Sequence, residues 1–173
     1  MEATAAERLR PERPARHNVG MRLTVKSDYA IRALAELAAR SHARTLVTAE
    51  ELADAQGIPR RFLLGILAEL RKDGLVISQR GIDGGYGMGQ LPEEITLADV
   101  IRSVEGPLAQ IGDERPGEMT YGGAASVLAD VWVAVRASLR AVLEEVTVAD
   151  LVAGRLPLAV DKLTRDPEAW QPH

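Results

Sequence analysis

A mainly helical fold carrying a small β-wing is what this sequence predicts, on three observations. Leu, Val, Ile and Ala abound while aromatics make up 3% of the 173 residues, a composition suited to helices packed through aliphatic cores. Residues 47–89 read VTAEELADAQGIPRRFLLGILAELRKDGLVISQRGIDGGYGMG. A short capped helix runs through a glycine turn into a longer basic helix, then into a β-rich stretch and a glycine-dense loop, the order of a winged helix-turn-helix. Further on, Leu128, Trp132, Val135, Leu139, Val142 and Val146 recur at spacings of 4, 3, 4, 3 and 4. That is the roughly 3.5-residue period of a helix that pairs with another.

The elements follow in chain order. Residues 1–20 hold two prolines, mixed charge and little apolar content, and are expected to form a disordered N-terminal tail. Met21 opens a folded-looking stretch and is an alternative translation start to Met1. Ala30, Ile31, Leu34, Leu37 and Ala38 fall at helical spacing, with Ser27 as the expected N-cap. Thr48 caps the next helix, and Glu51 three residues on completes a capping box. Gly57 ends that helix, and Pro59 suits the first turn of the one that follows, predicted over 59–73. Phe62, Leu63, Ile66, Leu67 and Leu70 form its expected buried stripe. Residues 75–79 are a strand, 80–85 the wing tip, and 86–90 a returning strand weakened by its glycines. Thr96 and Asp99 box another helix that stops at Glu105-Gly106-Pro107. Residues 106–123 are a linker and possible sensor loop, 124–146 the longest helix, about 35 Å at 1.5 Å per residue, and 147–151 a last short one. The expected organisation is tail 1–20, winged helix-turn-helix 21–105, linker 106–123, dimerisation helix and terminal helix 124–154, and a loose C-terminal tail 155–173.

Charge and composition exclude several functions. There are no cysteines, so disulfides, thiolate catalysis and cysteine-held metal clusters are excluded. His17, His42 and His173 lie far apart and match no metal-ligand spacing. No apolar run approaches the roughly 20 residues of a membrane span, and no signal-peptide core is present, so a cytoplasmic protein is expected. The net charge of −4 divides as +1 over residues 1–21, +2 over 22–90 and −7 over 91–173. Positive charge thus gathers, weakly, on the segment that would face phosphates. The run GIDGGYGMG does not have G-x-G-x-x-G spacing, and Pro92 follows where a phosphate-binding helix would start. No Ser/His/Asp set stands out, and no enzyme or cofactor is expected.

The long helix is apolar on two sides, with Ala124, Val127, Val131 and Ala134 supplying the second face. Such a helix needs two partners, its own domain and the same helix of a second subunit, so a homodimer is expected. Two paired modules would present recognition helices to half-sites about one DNA turn apart, so the operator should be palindromic.

Candidate DNA-binding residues are Arg60 and Arg61 in the first turn of the recognition helix, where arginine bonds guanine or phosphate. Arg80 on the wing could reach a minor groove, with Gly84 and Gly85 allowing close backbone approach. Thr48, Lys26 and Arg22 could add phosphate contacts.

The segments MRLTVKSDYAIRAL, ELADAQGIP, LRKDGLV, RGIDGGYGMG, EITLADVIRSVEGPL and TVADLV, spanning about 21–154, resemble the Rrf2 family of winged-helix regulators. That family includes the cluster regulator IscR, the nitric-oxide sensor NsrR and the cysteine-metabolism repressor CymR. The resemblance implies a homodimeric bacterial transcription factor, usually a repressor, whose long helix crosses to the partner subunit. It also implies, for many members, an iron–sulfur cluster held by three cysteines after VEGPL; here that stretch is AQIGDERPGEMTYGGAAS and has none. Asp28 falls where the nitric-oxide sensor type places an acidic ligand, but without thiolates it is expected to serve the helix surface. Asp113, Glu114 and Glu118 form an acidic stretch of the linker able to meet a hard cation. Base-reading positions of the cluster regulator align with Arg61, Leu64 and Gly65, of which only Arg61 is polar.

The function expected from sequence is therefore a cluster-free regulator that binds double-stranded DNA and is controlled by a small-molecule or protein effector. The alternative is a winged-helix protein-interaction module that has lost DNA binding.

Overall fold

The computed structural model describes residues 23–40, 46–108 and 116–171. The expected N-terminal tail, Met21, Arg22, the three histidines, Asp113 and Glu114 lie outside the described residues.

The first helix, α1 (Val25–Arg40), is capped by Thr24, whose hydroxyl accepts the Ser27 amide at 3.1 Å. Ser27, the expected cap, is instead buried inside the first turn and turns its hydroxyl toward Glu105. Ala30, Ala33, Leu34 and Leu37 line the buried side of α1, with Ile31 and Ala38 at its margin.

Helix α2 (Ala49–Gln56) has its capping box complete in both directions between Thr48 and Glu51. It ends at Gly57, whose left-handed φ of 60° suits a residue without a Cβ. The Ile58 amide then reaches back to the Ala53 carbonyl at 2.9 Å and drops Ile58 into the core. Helix α3 (Arg60–Lys72) follows and closes the same way, with the Leu75 amide on the Leu70 carbonyl at 2.9 Å.

The wing is an antiparallel pair, β1 (Val76–Gln79) with β2 (Gly85–Met88), in the register Val76 to Met88 and Gln79 to Gly85. Val47 adds one bridge to Tyr86 on the far side, through bonds of 2.9 and 2.8 Å. The glycines that made β2 look weak are what lets it fit. A Cβ at Gly85 would lie 2.8 Å from the Val47 carbonyl oxygen, and one at Gly89 would lie 2.2 Å from that of Gly74.

Helix α4 (Leu97–Glu105) carries the second capping box, Thr96 with Asp99. After short 3-10 turns at Pro116–Glu118 and Gly123–Ala125 comes α5 (Leu128–Leu143), then α6 (Val148–Ala153). Helix α6 has a third box, Thr147 with Asp150. The two segments ITLAD and VTVAD meet: Thr96 bridges Thr147, the Leu97 amide bonds the Val146 carbonyl, and the Val148 amide bonds the Ile95 carbonyl, both at 2.9 Å.

This return corrects three expectations. Helix α5 is shorter than 124–146, because Gly123 turns the chain at one end and residues 144–146 must turn it back toward α4 at the other. Val146, expected on a dimer face, is 2% exposed inside this chain's own core. Val148 is fully buried in the same cluster as α1 and α3, so α6 belongs to the winged-helix unit rather than to a separate dimerisation segment. Part of the C-terminal stretch is helical. Helix α7 (Leu158–Thr164) buries Val160, and the Trp170 indole donates to the Thr164 carbonyl at 2.7 Å.

Candidate nucleic-acid interface

Helix α3 separates its faces cleanly. Leu63, Ile66, Leu67 and Leu70 are at most 2% exposed and pack on α1 and α2. At 100° per residue the opposite row is Arg61, Leu64, Gly65, Ala68 and Lys72, all exposed, with Arg60 and Arg71 beside it. Phe62, expected in the buried stripe, is 64% exposed. It sits about 100° off that stripe, where the described residues leave it largely open.

Arg60 and Arg61 are exposed in the first turn of α3. That end carries the helix's unsatisfied amides, so positive charge from side chains and backbone coincides there. Arg71 lies at the other end and donates to the Ser78 hydroxyl at 3.1 Å, tying the wing to the helix.

Arg80 is exposed directly after β1, with Asp83 exposed in the same loop. Between them Ile82 is fully exposed, an apolar wing tip that sequence pattern did not single out. Gly84 and Gly85 are glycines for an internal reason: a Cβ at Gly84 would sit 2.5 Å from the Gln79 carbonyl oxygen and 2.8 Å from that of Gly81. They close the wing turn on itself.

Two candidates are engaged within the chain. Lys26 pairs with Glu69 of α3 at 2.8 Å and donates to the Val104 carbonyl, so it braces α1, α3 and α4 together. The Thr48 hydroxyl accepts the Glu51 amide at 3.2 Å and gives its one proton to the Glu51 carboxylate at 2.7 Å. That bond holds the Glu51 carboxyl below the usual range, so a negative charge stays beside Thr48, where a phosphate would be repelled.

The face expected to dimerise is on α5. Leu128, Trp132, Val135, Leu139 and Val142 are half-buried, and Val127, Val131 and Val133 are 65%, 48% and 46% exposed. Leu143 alone within α5 is buried. Val131, Ala134, Val135, Leu139 and Val142, with Leu23, line an open apolar groove of about 590 Å³.

The donor set does not fit a thiolate-held cluster. The chain has no cysteine, and Asp28 is ion-paired to Arg32 at 3.1 Å on the surface of α1. Among the described residues no three His, Cys, Asp or Glu side chains gather as metal ligands. No helix among them is long and apolar enough to cross a membrane.

Residues 23–154 match a family model described as Rrf2, iron-dependent transcriptional regulator. A provisionally named HTH-type transcriptional regulator of Mycobacterium tuberculosis is 47% identical over 151 residues, covering 87% of this chain and 93% of that protein. Among solved structures, CymR, the global cysteine regulator of B. subtilis, superposes with a TM-score of 0.63 at 29% identity, covering 77% of this chain and 97% of that one. T. potens IscR gives 0.61 at 29% identity, covering 90% and 96%. The mainly helical winged fold, the order of its motifs and these likenesses agree: the chain belongs to the Rrf2 family of transcriptional regulators.

Proposed function

We propose that this regulator binds double-stranded DNA as a homodimer in the cytoplasm and represses transcription from a palindromic operator. The outward row of α3 carries the reading. A helix with one face sealed into the core offers the other, led by Arg60 and Arg61, to a major groove. Arg80 on the wing contacts the flanking groove. The apolar face of α5 meets the same face of a second copy and sets the two recognition helices about 34 Å apart. Leu64, Gly65 and Ala68 give the middle of the reading face a smooth apolar surface suited to thymine methyl groups, leaving Arg60 and Arg61 to make the polar contacts.

Changing Arg61 and Arg80 together to Ala tests this. Each base or groove contact is worth about 1–3 kcal/mol, so the pair should weaken binding to the promoter of its own operon by at least about thirtyfold. The variant should keep the dimer and the melting temperature of the parent protein. Unchanged affinity would remove both residues from the interface.

A second reading has a specific observation behind it. Phe62, Leu64 and Ile82 are 64%, 42% and fully exposed, an apolar set that a protein partner could cover. DNA affinity that falls steeply with salt supports the first reading; DNA affinity indistinguishable from background at low salt supports the second.

A further inference from the structure

Where α4, the linker and α5 meet, three arginines surround a cavity of about 260 Å³. Arg102, Arg136 and Arg140 line it together with Gly106, Pro107 and Leu108. Two of the arginines are already compensated. Arg102 bonds Asp99 at 3.1 Å and also reaches Glu144, which Arg140 holds at 2.9 Å. The Glu144 carboxyl is accordingly kept below the usual range, by Arg140 first and Arg102 second.

Arg136 differs from both. Its Nε is buried and makes no hydrogen bond, and no carboxylate among the described residues pairs with it. Among the described residues, three guanidinium groups thus meet two carboxylates, leaving one positive charge on the lining of a cavity with apolar walls at Pro107 and Leu108. A guanidinium group without a carboxylate partner fits a carboxylate or phosphate through two parallel bonds.

We propose that this cavity is a binding site for a small oxyanion, a carboxylate or phosphate group on a compact metabolite, held principally by Arg136. The volume is below that of drug-sized pockets and suits a ligand of a few carbons. The site joins α4, which is packed in the winged-helix core, to α5. An occupant bonded to Arg136 would fix the angle between them. That consequence for operator binding rests on the DNA-binding reading above; the binding site itself does not.

The test uses the full chain without DNA. Inorganic phosphate, sulfate, citrate and acetate are titrated at constant ionic strength, by calorimetry and by thermal melting, against chloride. At least one should bind saturably and raise the melting temperature. Phosphate or sulfate outperforming the carboxylates identifies a phosphate-bearing ligand, and the reverse identifies an organic acid. Arg136→Gln should weaken that binding about tenfold or more without changing the melting temperature of the unliganded protein, while Arg155→Gln, outside the lining of the cavity, leaves binding intact. If Arg136→Gln is poorly folded, Arg136→Lys keeps the charge and removes the fork, and should lose affinity by a smaller factor. Responses that match chloride for every anion, or binding equal in the parent protein and the Arg136 variant, overturn the assignment. Repeating the titration with promoter DNA then reads the coupling: saturable anion binding that leaves DNA affinity unchanged would reject the control of α5 while keeping the site.

Discussion

Helices α3 and α5 are of similar length, 13 and 16 residues, and both are rich in aliphatic side chains, yet the chain treats them oppositely. The apolar stripe of α3 is sealed by α1 and α2, with Leu63 and Leu70 fully buried. Only Leu143 at the base of α5 is buried, while Val131 and Val133 face outward. One helix is completed by its own chain and offers a polar end outward; the other presents apolar surface that the described residues leave open, the surface proposed above to meet a second copy. Exposure of a hydrophobic face, rather than its existence, separates an element that completes the core from one left open to a partner.

The largest effect expected to sharpen this contrast falls on α5. Changing Val135 and Val142 together to Asp would place two desolvated carboxylates in the dimer face, each costing several kcal/mol. Sedimentation should show a monomer at concentrations where the parent is dimeric, while the helical circular dichroism of the winged-helix unit persists. A dimer that survives both charges would break the comparison.

Next is Leu70→Ala in α3. Removing a fully buried leucine should cost about 2–5 kcal/mol in urea unfolding, because surrounding helices close the void only partly. The same substitution at Leu139, half-buried on α5, should cost clearly less per chain once the protein is diluted to monomer.

A smaller effect, about 1 kcal/mol, is expected for Thr48→Ala, which removes the cap of α2 just ahead of the reading helix. Affinity for DNA should change no more than stability does, since the hydroxyl proton is committed to Glu51. A larger selective loss of affinity would return Thr48 to the interface.

The smallest effect concerns acid. Glu51, Asp150 and Glu144 all have carboxyls held below the ordinary range: Glu51 by the Thr48 hydroxyl, Asp150 by the Thr147 backbone amide and Glu144 by Arg140. A folded value lower than the unfolded one, near 4, means stability present at neutral pH and lost as pH falls through the folded values. Thermal melts between about pH 6 and 3 should therefore decline, and Glu51→Gln should make that decline shallower.

Much of this was legible in sequence where the information is local. The capping boxes Thr48–Glu51 and Thr96–Asp99 form as expected, because three residues fix both partners. The order of helices and wing also follows from periodicity and turn residues. Position across the molecule was not legible. Phe62 looked like core by spacing and is exposed, Lys26 looked free and pairs with Glu69 over 43 positions, and Val146 fitted a heptad and is buried by α4's own segment. Arg136 gave no signal at all, since the want of a carboxylate beside it among the described residues is visible only once α4 and α5 are assembled.

By itself, then, the sequence determined the winged-helix class, its family resemblance, the cluster-free composition and the first-turn arginines, all of which rest on residue identity and short-range spacing. The tertiary structure decided which apolar residues are spent inside the chain and which stay exposed among the described residues, and which charges are already answered. Burial and ion pairing depend on what stands opposite a side chain in space, and chain separation says little about that.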